Sequence, residues 1–129
     1  MRPRRPSHRL AAWRRNEELA FRVAGFLSQQ AAEEAMKAVL VAHHLPVPKI
    51  HDLFTLADDL PVSTGDLDSG DFELLNPWIT AGRYPGNLPD CGREEAEGLC
   101  LAAERVLAVA ERLVAEVEPP PSSLPPCTG

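Results

Sequence analysis

Between Ser7 and Pro46 the only residue that disfavours a helix is Gly25. A lone interior glycine costs a helix roughly 1 kcal/mol, too little to end one. Leu10, Trp13, Ala20, Ala24, Leu27 and Ala31 keep one helical phase through this stretch without a slip. Ser7 suits the N-cap, and Pro46 and Pro48 stop the helix, because each lacks an N–H and restricts the residue before it. These signals predict one very long helix over residues 8–44, around which the rest of the chain has to be arranged. Its Ala-rich line Leu27, Ala31, Ala38, Ala42, Leu45 reads as the apolar stripe against which a neighbour can come close. A second line carries Phe26, Gln30, Glu33, Lys37, Val41 and His44, with Glu33 and Lys37 a favourable i,i+4 pair. A glutamine pair beside an apolar seam either faces water or is buried and hydrogen-bonded.

The chain has 129 residues, enough for one core and not for two. Alanine and leucine supply the apolar content and no stretch alternates as a strand does, so the expectation is an all-α antiparallel helical bundle. No apolar run is long enough for a bilayer, and the basic start lacks the apolar core of a secretory signal. A cytoplasmic location is expected. Three cysteines without CxxC spacing support neither a disulfide framework nor a zinc site. Cys91 reads as an inert thiol, since no histidine stands near it in the sequence. His43 and His44 diverge by about 100° around the helix and make a poor metal pair. No metal or cofactor is expected.

Charge is unevenly spread. Residues 1–22 hold seven arginines against Glu17 and Glu18, a balance of +5, whereas residues 23–129 hold six basic residues against 17 acidic ones, −11. An acidic domain is a poor general binder of nucleic acid, and the Arg/Pro-rich start reads as disordered rather than as an RNA-binding arm.

After the prolines, Leu53, Leu56, Ala57 and Leu60 mark a short amphipathic helix, with Asp52 at the positive end of its dipole. A turn-rich loop follows Pro61. The next segment should be helical around Phe72, Leu75, Trp78 and Ile79, with Pro77 kinking it or starting a new turn. From about Arg93 to Val117 a second long helix carries Leu99, Ala103, Val106, Ala110, Leu113 and Val117 on one stripe. The domain thus spans 8–118, between a leader at 1–7 and a Pro-rich tail at 119–129 that cannot pack.

The chain lacks HExxH, GxxxxGK[ST] and GxSxG. Three pieces instead carry a family resemblance: QQAAEEAMKAVL (29–40), KIHDLFTL (49–56) and LNPWITAGRYPG (75–86), followed by a helix that opens with EEA. In order and approximate spacing they resemble the HEPN domain (higher eukaryotes and prokaryotes nucleotide-binding) in its small prokaryotic stand-alone form. The resemblance implies a bundle of helices that forms homodimers, often encoded beside a minimal nucleotidyltransferase in a toxin–antitoxin context. It makes a nucleotide or RNA the expected ligand. Several such domains are toxin ribonucleases, with an arginine and, after four to six intervening residues, a histidine. Arg83 matches the arginine, but Leu88, Pro89 and Asp90 occupy the places for the histidine. The imidazole that metal-free RNA cleavage needs is missing there, and an ionised aspartate repels phosphate.

The resemblance therefore implies a non-catalytic, HEPN-like accessory module that binds a nucleotide or polynucleotide. The alternative is a ribonuclease toxin using Arg83 with a displaced base such as His51. Gln30, Glu33, Lys37, His51, Asp52, Arg83 and Tyr84 form the candidate ligand site. The guanidinium of Arg83 offers phosphate a planar fork, or else anchors the last loop to Glu33 or Asp52. Trp13 fits a tryptophan near the start of related domains, but stands about ten residues, two to three turns, too close to Gln29. The first helix is either a shortened hairpin or fused to the second. The unbroken phase favours fusion, which would leave Trp13 to be covered by a second chain.

Overall fold

The computed structural model describes residues 8–60, 66–82 and 89–117, with side chains for 16–60, 66–79 and 89–117. The leader, the tail, residues 61–65 and the side chain of Trp13 lie outside that range, as do Arg83 and Tyr84.

Helix α1 runs from His8 to Ala42 as a single helix, and Gly25 keeps a negative φ, so no hairpin turn forms there. It ends in a Schellman motif. The N–H of His44 donates to the carbonyl of Val41 (3.0 Å) and that of Leu45 to Leu40 (2.9 Å), with His44 left-handed at φ 59. Helix α2 is Leu53–Asp59 and α3 is Ser69–Leu75, which passes at Pro77 into a 3₁₀ segment, Asn76–Gly82. Helix α4, Arg93–Ala115, closes the bundle. All the described regular structure is helical.

Both long helices pack along their length, but they run in the same direction rather than antiparallel as expected. Glu17 meets Arg93, Ser28 meets Cys100, and His43 meets the carbonyl of Leu113, so contacts advance together on both. The connection explains this. A short loop would make neighbours antiparallel, whereas α2, α3 and the 3₁₀ segment carry the chain back to its starting end.

The face that α1 buries also differs from the Ala-rich line. Leu27 is 56% exposed, Ala38 is exposed and Leu45 sits at the surface. The buried side carries Ser28, Gln29, Ala32, Met36, Val39 and Leu40, about a third of a turn away. Volume decides. Met36, Val39 and Leu40 remove far more apolar surface from water than alanines do, at about 1.5–3 kcal/mol for each large side chain. They meet Leu53 and Leu56 of α2, Leu75 of α3, and Leu99 and Val106 of α4 in one core. The short α2, α3 and 3₁₀ segment place Leu53, Leu56, Phe72, Leu75 and Trp78 inward at the spacing their apolar pattern requires.

Candidate functional site

On α1, residues 29, 33 and 37 follow at i,i+4, so their side chains stack along one edge of the buried face. Glu33 is 3% exposed, and it is the hub. Its Oε1 accepts from Gln29 Nε2 (3.2 Å) and its Oε2 from Lys37 Nζ (3.1 Å). The chain then returns after Pro48 and sets His51 Nδ1 at 3.1 and 3.2 Å from the two oxygens. Burial alone would raise the Glu33 carboxyl, but the hydrogen bonds from His51, Lys37 and Gln29 prevail and hold it below its ordinary value. An ionised carboxylate only accepts, so Nδ1 of His51 carries the proton and donates it into the bond. Nε2 is then free to act, and the ring is 44% exposed.

Gln29, fully buried, extends the network outward by accepting from Gln30 Nε2 at 2.8 Å. Among the described side chains, Arg22 Nε alone is buried without a partner, so every buried member of this network is satisfied. The structure thus joins Gln30, Glu33, Lys37 and His51 in one hydrogen-bonded cluster.

Asp52, next along the chain, turns elsewhere. It caps α2: Oδ1 accepts from the N–H of Phe54 (3.0 Å) and from Asn76 Nδ2 (2.8 Å), and Oδ2 from Thr55 Oγ1 (3.0 Å). Asn76 Oδ1 in turn accepts from the N–H of Leu53 (3.1 Å). Partial burial raises this carboxyl too, but the bonds from Asn76, Thr55 and the Phe54 backbone outweigh it and lower the pKa. Asp52 and Asn76 therefore tie the start of α2 to the 3₁₀ segment, which fixes His51 one residue away.

Sequence reasoning passed over Gln29 and Asn76 as site residues. Gln29 carried a signal, as the partner of Gln30 in a glutamine pair one turn before a glutamate. Asn76 carried none beyond its place before Pro77, since its bond to Asp52 spans 24 positions.

At the other end of α1, Arg22 pairs with the exposed Asp90 at 2.5 Å. Arg93 pairs with Glu17 at 3.0 Å and lies over the ring of Phe21. Cys91 is buried beside this corner. Burial first, then the Glu95 carboxylate, pushes its thiol up, as befits an inert cysteine. Among the described residues no cluster of His, Cys, Asp and Glu could hold a metal ion. No described helix is long and apolar enough to cross a membrane.

A buried glutamate bridging a lysine and a half-exposed histidine lies at the centre of an all-helical domain. The HEPN domain model matches residues 8–113, most of the chain, and the protein belongs to the HEPN domain family. Comparison with curated proteins and with solved structures gave no match.

Proposed function

We propose that the protein is a non-catalytic HEPN module that binds a nucleotide or polynucleotide, pairs with itself and serves a minimal nucleotidyltransferase. Membership of the family supports a nucleotide- or RNA-related role. The observation that carries the non-catalytic reading is the occupant of the ribonuclease position. Leu88, Pro89 and Asp90 stand in the places where such enzymes carry histidine, and the Asp90 carboxylate is taken up by Arg22. No imidazole stands there to relay a proton, and a carboxylate engaged by Arg22 offers a phosphate no donor. Lys37, held on Glu33, supplies the cation that a phosphate edge needs, while His51, its Nδ1–H given to Glu33, offers Nε2 as an acceptor for a ligand hydroxyl or amino group.

Thermal unfolding with nucleoside triphosphates and with short RNA tests the binding. Ligand at ten times its Kd adds about 1.4 kcal/mol, a Tm rise of several degrees for a domain of this size. No shift at millimolar nucleotide, together with no complex on co-expression with a nucleotidyltransferase, would sink the reading.

One observation favours the second reading, a ribonuclease with a displaced base. A carboxylate holding Nδ1 of a half-exposed imidazole is the arrangement that orients a general base. RNA cleavage and growth arrest, each abolished by both Arg83→Ala and His51→Ala, would establish it. Intact RNA at micromolar protein removes it.

A further inference from the structure

We infer that Lys37 and His51, set in place by Glu33, form a subsite for a ribose 2′-hydroxyl lying beside its 3′-phosphate. The inference rests on the nucleotide-binding reading above and names the part of the nucleotide that the cluster holds. A buried charge sets which atom each neighbour turns outward. The ionised Glu33 carboxylate only accepts, so Gln29 gives it Nε2 and keeps its own Oε1 for Gln30 Nε2. Gln30, half-buried, is left with Oε1 as an acceptor. His51 gives Nδ1–H to the same carboxylate, and its half-exposed ring is left with Nε2 as an acceptor. Neither acceptor meets a donor among the described residues. Lys37 gives one N–H to Oε2, and its other two have no acceptor among the described residues. The cluster therefore presents two acceptors beside one cationic donor.

A phosphate brings only acceptors, so it satisfies Lys37 and leaves His51 unmatched. Nε2 has to be met by an O–H or an N–H of the ligand. Proximity decides between them. Lys37 Nζ and His51 Nδ1 lie 3.1 and 3.2 Å from one atom, Oε2 of Glu33, so the ammonium and the ring stand side by side. A hydroxyl between them can donate to Nε2 and accept from Nζ at once. An exocyclic amino group only donates, and would turn its hydrogens toward the ammonium. Within a nucleotide, the 2′-hydroxyl and the 3′-phosphate sit on neighbouring ribose carbons, whereas the base edge stands across the whole nucleoside. One ribonucleotide thus gives Lys37 a phosphate oxygen and a hydroxyl oxygen, and gives Nε2 the hydroxyl hydrogen. A deoxyribonucleotide leaves Nε2 without a donor.

Calorimetric titration of the full chain with adenosine 3′-monophosphate, its 2′-deoxy analogue and its 2′-O-methyl analogue tests this. The methyl ether keeps the oxygen and lacks the hydrogen that Nε2 accepts. The ribonucleotide should bind about tenfold more tightly than either analogue, the effect of one hydrogen bond. In His51→Phe, checked for folding by far-ultraviolet dichroism, the three should bind alike. The nitrogen resonance of His51 Nε2 in the wild type reads the same bond without a substitution. It should move with the ribonucleotide and stay in place with the methyl ether. Equal affinities for the ribonucleotide and the deoxy analogue overturn the subsite and leave the nucleotide-binding reading intact. A preference that survives in folded His51→Phe, or an Nε2 resonance that the ribonucleotide does not move, overturns the assignment to His51. Binding of a nucleoside triphosphate but of none of the three monophosphates also overturns the subsite alone. Absence of all nucleotide binding removes the functional reading with it.

Discussion

A single methyl group at Gly25 would stand 2.8 Å from two atoms of the Trp78 indole and 2.9 Å from a third. The glycine sits in mid-helix because the buried tryptophan of the 3₁₀ segment lies directly on its backbone. At Gly98, also within a helix, nothing approaches within 4 Å of the same methyl. The same substitution should therefore have opposite signs. Alanine gains about 1 kcal/mol in a helix over glycine, and at Gly98 that gain is unopposed. At Gly25 the clash costs about 1–3 kcal/mol, falls on a rigid ring and outweighs it. Thermal unfolding should show Gly98→Ala above and Gly25→Ala below the wild type. Equal stabilisation by both would mean that Trp78 does not pack on α1. The sequence showed Gly25 only as a tolerated interior helix glycine, because the residue that requires it lies 53 positions away.

Helix ends were easier to read than helix faces. Proline placement and phase predicted a helix over 8–44, and α1 ends at Ala42; the second long helix was expected from 93 and begins there. Breakers act on their immediate neighbours, so a linear reading finds them. Which side of α1 is buried depends on partners far along the chain. There the regular spacing of Leu27, Ala31 and Ala38 competed with the larger Met36, Val39 and Leu40, and volume prevailed. The relative direction of the long helices was hidden for the same reason, since it is set by the connection between them. Part of the candidate site was legible, because Glu33 and Lys37 share a helix edge and His51 follows a proline stop. Its closure through Gln29 was not, because burial is invisible locally. The C-terminus of α1 also yields a prediction. His44 holds a left-handed conformation in which a side chain costs about 1 kcal/mol relative to glycine. Exposed, and with its backbone N–H alone serving the motif, His44→Gly should raise the unfolding free energy by about that amount in urea titration. A loss of stability would mean that the imidazole itself holds the helix end.

Over the whole molecule, two acid-dependent effects overlap. As pH falls, 19 carboxylates lose charge while 13 lysines and arginines and four histidines become unopposed, so self-repulsion grows throughout the chain. That burden falls almost equally on the wild type and on a Glu33→Gln variant, and it cancels in their difference. What remains is the local term. The Glu33 pKa is depressed below its ordinary value of 4.5, because binding of the carboxylate by His51, Lys37 and Gln29 outweighs burial. A depressed pKa means that the unfolded chain takes up a proton before the folded one does. The stabilisation is therefore complete above the unfolded value and is lost as pH falls through the folded one. The wild type should exceed Glu33→Gln by about 1–3 kcal/mol at pH 7, the cost of leaving buried donors of this network unmatched. The gap should hold down to about pH 5 and close progressively below 4.5. Urea titrations of both proteins at pH 7, 5, 4 and 3 measure it directly. A gap that stays constant from pH 7 to 3 would mean that His51 and Lys37 do not bind the charged form of Glu33, and the hub of the candidate site would go with it.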